Sequence, residues 1–155
     1  MVKATSERLK VLERAHLGRP SKYTPREEDY IEVIFELIEG KGYARAVDIS
    51  NYLKVRAPTV TTMIQKLHNN GLLIYEKHRG FVLTERGEEL ARSVRNRHST
   101  MAEFLLILGL DQKLANEDAE GMEHSLQPKT LEKLGQFVRF LRANRDILKR
   151  VRESG

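Results

Sequence analysis

Between Ala46 and Thr84 the chain runs AVDISNYLKVRAPTVTTMIQKLHNNGLLIYEKHRGFVLT, and this stretch constrains the fold more than any other. It opens with two helical periods separated by Lys54, Val55 and Arg56, a three-residue turn between two helices. Val47, Ile49 and Leu53 are expected to face inward from the first helix. From the second, Val60, Met63, Ile64 and Leu67 share one side, and Asn69, Asn70 and Gly71 supply the stop. The remainder is β-rich on both sides of a polar His-Arg-Gly tip at 78–80, a hairpin signal.

A helix precedes this unit. Thr24-Pro25-Arg26-Glu27 is a capping box, with Thr24 as N-cap, Pro25 at the first helical position and Glu27 at the third. Ile31, Ile34, Phe35 and Ile38 form its buried stripe, and Gly-Lys-Gly at 40–42 ends it. Helix, helix, helix, hairpin is the order of a winged helix-turn-helix. On the second helix of the pair, Pro58, Thr62 and Gln65 point directly away from the core, with Thr59, Thr61 and Lys66 flanking and Arg56 at the turn before it. That face is small and polar, which suits close approach to base edges in a major groove and threonine methyls against thymine methyls. Lys77, His78 and Arg79 at the wing tip are placed to meet phosphate. Residues 40–84 hold seven Lys/Arg against two Asp/Glu, a local +5 equal to the net charge of the whole chain. The partner expected is double-stranded DNA, with a protein-interaction module as the bland rival, because basic tips are often merely solvated.

The second half reads as helical throughout. Thr84 caps a long helix to about Leu108, with Leu90, Ala91, Val94, Met101, Leu105 and Leu108 at helical spacing. Asp111 caps a short one, and Pro128 starts a last helix whose Leu131, Leu134, Val138, Leu141 and Leu148 form one stripe. This half is too short to enclose its own core, so its stripes are expected to pack on a second copy, making a homodimer. The organisation expected is a basic extension over 1–23, a winged helix-turn-helix over 24–84 and an all-helical dimerisation domain over 85–155, mostly α overall. The extension carries six Lys/Arg against two Glu; it is either a plain tail or a basic arm following the DNA backbone. Its charges leave no apolar signal region, and no later apolar run approaches the ~20 residues of a membrane span. A soluble, cytoplasmic chain without a membrane partner is the expectation.

With no cysteine in the chain, any metal site must be built from His, Asp, Glu and carbonyls, which favours harder ions. In Asp118-Ala-Glu-Gly-Met-Glu-His124, residues Glu120, Glu123 and His124 occupy one arc of their helix, while Leu114, Ala119, Met122 and Leu126 occupy the other. Alone this arrangement is more often a wet face than a metal site. Two further places bear on it. Asp29 and Glu32 flank the apolar stripe of the first helix, and His98 falls in line with Val94 and Met101 on the long one, where a lone histidine is usually a satisfied core residue. Four carboxylates and two imidazoles near faces that must pack would each cost several kcal/mol to bury without a cation.

The stretch DYIEVIFELIEGKGYARAVDI, the helix-turn-helix, the wing and DAEGMEH together resemble the manganese-dependent transport regulators of the diphtheria-toxin-repressor family, in the short form without an SH3-like domain. The resemblance covers about residues 24–148. It implies a Mn(II)-activated repressor of manganese uptake genes that binds two ions per subunit and a palindromic operator. Asp29, Glu120, Glu123 and His124 would hold one ion; Glu32, His98, Glu120 and Glu123 would hold the second. Iron-responsive relatives place sulfur ligands at the positions of Asp29 and Glu123, and both are carboxylates here, which removes the softness that favours iron. Ser125 departs from the pattern where many relatives have a second histidine, as does the basic extension. An iron- or zinc-responsive repressor is the rival within the family. A di-metal hydrolase or a metal buffer is the rival outside it, but the winged helix would then be idle, so the chain is not expected to be an enzyme.

Overall fold

A computed structural model of the chain describes Glu7, residues 9–11 and residues 21–153. The basic extension expected over 1–23 lies mostly outside the described residues. From Pro25 onward the described residues form seven helices and a hairpin in order: α1 (Pro25–Lys41), α2 (Ala46–Leu53), α3 (Ala57–Asn69), β1 (Leu73–Glu76), β2 (Gly80–Leu83), α4 (Glu85–Ile107), α5 (Gln112–Met122), α6 (Pro128–Ala143) and α7 (Arg145–Glu153). They form two compact units, with the boundary at Ser99 and Thr100 inside α4.

The N-terminal unit is a winged helix-turn-helix. Its core gathers Tyr30, Ile31, Ile34 and Phe35 of α1, Ile49 of α2, Val60, Ile64 and Leu67 of α3, and Leu72, Leu73 and Ala91. The capping box forms in full: Thr24 Oγ1 accepts from the Glu27 amide, and the Glu27 carboxylate accepts from the Thr24 amide. In the turn, Lys54 adopts the left-handed conformation (φ 55°, ψ 38°) that glycine commonly takes there. The turn is held by the Ser50 hydroxyl, which donates to the Val55 carbonyl at 2.6 Å. Val47 does not face inward as its spacing implies; it is exposed, and Ile49 and the half-buried Leu53 carry the contact. An eight-residue helix has room for only one narrow apolar stripe.

β1 and β2 pair antiparallel, Leu73 opposite Leu83 and Glu76 opposite Gly80. Ala44 adds a third short edge, its carbonyl accepting from the Phe81 amide at 2.9 Å. Gly80 is required at that corner: its φ is +77°, and a Cβ there would lie 2.4 Å from the Ala44 carbonyl oxygen.

Thr84 caps α4, its hydroxyl oxygen accepting from the Gly87 amide at 3.1 Å. In the C-terminal unit, Met101, Ala102 and Leu105 pack with Ala115 and Ala119 of α5, while Ile107 packs with Val138 and Leu141 of α6. Leu108 is exposed rather than buried, because α4 ends at Ile107 and the chain turns at Gly109 (φ +98°). The last helix expected is two helices. Asn144 breaks it with its side-chain amide donating to the Phe140 carbonyl at 2.7 Å, and Leu148 therefore belongs to α7.

Candidate metal centre and nucleic-acid interface

α3 supplies the polar face expected of a groove-reading helix. Pro58, Thr59, Thr61, Thr62, Gln65 and Lys66 are all exposed, as is Arg56 at the N-cap, while Val60, Ile64 and Leu67 are buried. The hydroxyls of Thr61 and Thr62 donate to the carbonyls of Ala57 and Pro58 at 3.1 and 3.0 Å. Their protons are thus used within the helix, and what they offer outward is a methyl and a lone pair. Lys77, His78 and Arg79 are exposed at the wing tip, where Arg79 pairs with Glu76 at 3.2 Å.

Lys66 has a second commitment. Its Nζ lies 3.3 Å from the buried carboxylate of Glu27, which also accepts from Thr24 Oγ1 at 2.8 Å and Asn70 Nδ2 at 3.0 Å. Glu27 thereby ties the start of α1 to the end of α3. Burial pushes its carboxyl upward, but the hydrogen bonds from the Thr24 amide and hydroxyl and the ammonium of Lys66 together outweigh burial and hold it below the ordinary 4.5. A second buried carboxylate, Glu28, pairs with Arg97 of α4 at 2.6 Å. Sequence reading assigned neither Glu27 nor Glu28 to the interior, and only the capping-box position of Glu27 hinted at a fixed role.

The six candidate metal ligands divide between the units. Asp29 and Glu32 on α1 and His98 on α4 belong to the N-terminal unit, each half-buried. Glu120 on α5, Glu123 and His124 belong to the C-terminal unit. Here the structure corrects the two-arc reading of α5. Leu114 and Met122 are exposed, whereas Ala115, Ala119 and Glu123, four residues apart in turn, form the buried face. Glu123 is 0% exposed, just past the last helical residue, with His124 Nε2 3.7 Å from its Oε1. That separation exceeds the ~3 Å of a hydrogen bond. A fully buried carboxylate beside an imidazole that is itself 12% exposed is the wrong composition for a wet face. Carboxylates and imidazoles without sulfur fit a divalent cation of the harder kind.

Comparison with known proteins divides the chain at an earlier point, between residues 81 and 84, so that His98 falls in the second part with Glu120, Glu123 and His124. Residues 22–81 match the family described as iron dependent repressor, N-terminal DNA binding domain. Residues 84–150 match iron dependent repressor, metal binding and dimerisation domain. The HTH-type transcriptional regulator MntR of Listeria innocua serovar 6a is 43% identical over 130 residues, covering 84% of this chain and 92% of that protein. The protein of the same name from Bacillus pumilus is 44% identical over 117 residues, covering 76% and 81%. Among solved structures, the manganese regulator SloR superposes with a TM-score of 0.67 at 32% identity, covering 76% of this chain. The chain spans about half of SloR, 55% of its length. ScaR with bound Zn2+ gives the same TM-score of 0.67 at 31% identity, covering 74% of this chain and 54% of that one. The chain belongs to the iron-dependent repressor family: it is a metal-dependent transcriptional repressor, not an enzyme, with a DNA-binding domain followed by a metal-binding and dimerisation domain.

Proposed function

We propose that the chain is a cytoplasmic, homodimeric repressor of manganese uptake genes that binds a palindromic operator when Mn(II) is bound. The observation that carries this reading is Glu123, a carboxylate at zero exposure beside His124 within the domain matched to metal binding. The sulfur-free donor set and relatives named MntR at 41–44% identity favour manganese over iron. Asp29, Glu120, Glu123 and His124 are proposed as ligands of one ion, and Glu32, His98, Glu120 and Glu123 as ligands of a second.

When bound, the ion supplies positive charge that offsets the clustered carboxylates. Asp29 and Glu32 lie in the residues matched to DNA binding, and His98, Glu120, Glu123 and His124 in those matched to metal binding and dimerisation, so the proposed ligand set draws on both. Pro58, Thr59, Thr61, Thr62 and Gln65 then face base edges, and Arg56, Lys77, His78 and Arg79 face phosphate. In a twofold dimer, the arrangement that operator binding selects sets the two α3 helices about 34 Å apart, in successive major grooves.

The test is operator binding titrated against Mn(II), Fe(II) and Zn(II). Tight binding at the lowest free Mn(II), and weak binding by the metal-free protein, is the expected result. Equal binding without metal would sink the activation mechanism. Equal response to Zn(II) would favour the zinc reading, which the Zn2+-bound ScaR structure keeps in view.

A further inference from the structure

The junction of α6 and α7 holds a groove of about 610 Å³ lined by Arg142, Arg145, Leu148, Lys149, Arg152 and Glu153. Four of these six side chains are cations, all exposed. The sequence from residue 139 to 153 carries six Lys/Arg against two Asp/Glu, a net +4 in fifteen residues. That density exceeds the +5 over residues 40–84 that marks the DNA-reading unit.

Three features separate this groove from an ordinary solvated face. The break at Asn144 turns the chain between Arg142 and Arg145, so that the cations border a concavity instead of spreading around one helix. Arg142 is held in place by an ion pair from its Nε to Glu103 of α4, which leaves the rest of its guanidinium to the groove. The apolar edge is anchored: Leu148 and Val151 pack on Ile107, Val138 and Leu141, which fixes the rotation of α7. Arg145, Lys149 and Arg152 then succeed one another at i, i+4 and i+7, a row about 10 Å long at 1.5 Å per residue.

We propose that this groove is a second nucleic-acid contact, carried by the C-terminal unit and independent of sequence, which takes the phosphodiester backbone. A row of cations, three of its four members arginine, matches a linear chain of phosphates. Guanidinium forks grip phosphate oxygens two at a time. A compact anion would meet only part of the row. A member of a DNA-binding repressor family has duplex at hand as its ordinary partner. None of the proposed metal ligands lines the groove, so this contact does not require metal.

The experiment is a titration of the full-length protein, without added metal, against a random-sequence duplex over a range of salt. Wild type is compared with Arg145→Glu/Lys149→Glu/Arg152→Glu. Arg139→Glu/Lys133→Glu/Arg150→Glu, exposed positions outside the groove lining with the same change of charge, is the control. Losing two or three phosphate contacts should weaken duplex binding by about tenfold and flatten the slope of log K against log salt by about 2. The control should change neither by as much, and far-UV circular dichroism should show both variants folded. If the milder Arg145→Gln/Lys149→Gln/Arg152→Gln is needed because the reversal does not fold, it should move affinity and slope in the same direction. Equal losses in groove and control variants would reduce the effect to net charge and overturn the site. If duplex binding holds while binding of a nucleoside triphosphate probe is lost, the ligand is a free polyphosphate and the nucleic-acid assignment fails. If dimer dissociation shifts instead, the groove belongs to an interface between copies.

Discussion

Replacing Glu27 with alanine should destabilise the N-terminal unit by about 3 kcal/mol, a figure built from its contacts. The carboxylate is 3% exposed and serves four donors: the Thr24 amide at 2.9 Å, the Thr24 hydroxyl at 2.8 Å, Asn70 Nδ2 at 3.0 Å and Lys66 Nζ at 3.3 Å. Loss of the capping box costs about 1 kcal/mol. A buried hydrogen bond to a charged acceptor, here from Asn70, is worth about 1.5–3 kcal/mol. Lys66 is 53% exposed, so its pairing adds under about 1 kcal/mol. Glu27→Gln keeps the volume and one acceptor and should cost about half as much. The pH dependence separates charge from packing. Because the folded carboxyl is held below 4.5, its contribution is fully present above that value and is lost as pH falls through the folded pKa. The stability gap between wild type and Glu27→Gln should therefore be constant near neutrality and close at acid pH. Urea unfolding followed by far-UV circular dichroism from pH 3 to 7 measures it. A gap that stays level down to pH 3, or an alanine variant within about 0.5 kcal/mol of wild type, would refute the reasoning.

Four further outcomes are expected. Lys54→Gly should raise stability by about 0.5–1 kcal/mol in thermal melts, since Lys54 holds the left-handed conformation that glycine adopts without steric strain. Tyr30→Phe should be neutral or stabilising by up to about 1 kcal/mol, because the Tyr30 hydroxyl is buried and has no hydrogen-bond partner among the described residues; a loss above that would reveal one. His98→Ala should leave the metal-free fold intact and lower the metal bound per subunit in equilibrium dialysis, whereas lost stability with unchanged stoichiometry would return His98 to the role of a core residue. Glu123→Cys should move the order of response in operator binding from Mn(II) toward Fe(II), Co(II) or Zn(II), and an unchanged order would remove Glu123 from the ligand set.

What could be read from sequence was what short-range signals encode. The capping box at Thr24 and Glu27, the turn at 54–56, the wing and the caps at Thr84 and Asp111 each depend on neighbours within a few residues, and each formed. The outward face of α3 was legible because its helix is long enough for the 3.6-residue period to separate two sides. On eight-residue α2 the same period misplaced Val47. The break at Asn144 was missed because no Pro or Gly marks it; a side-chain amide competing for a helix carbonyl is a weaker signal.

The burial of three carboxylates was missed for a different reason. Glu27 reaches Asn70 across 43 positions and Glu28 reaches Arg97 across 69, so their partners are set by tertiary packing that no local pattern encodes. Glu123 was read with Glu120 as part of one polar arc, yet it continues the buried line of Ala115 and Ala119 and ends at zero exposure. Treating every acid as an outward residue fails at all three positions, because a cation is a better partner for a buried carboxylate than water that cannot reach it. Lysine and arginine answer Glu27 and Glu28 within the N-terminal unit. Glu123 lies in the residues matched to metal binding, with the His124 imidazole 3.7 Å from its carboxylate. Adjacency in sequence places the two side by side, but only the packing of Ala115 and Ala119 sets the burial of Glu123.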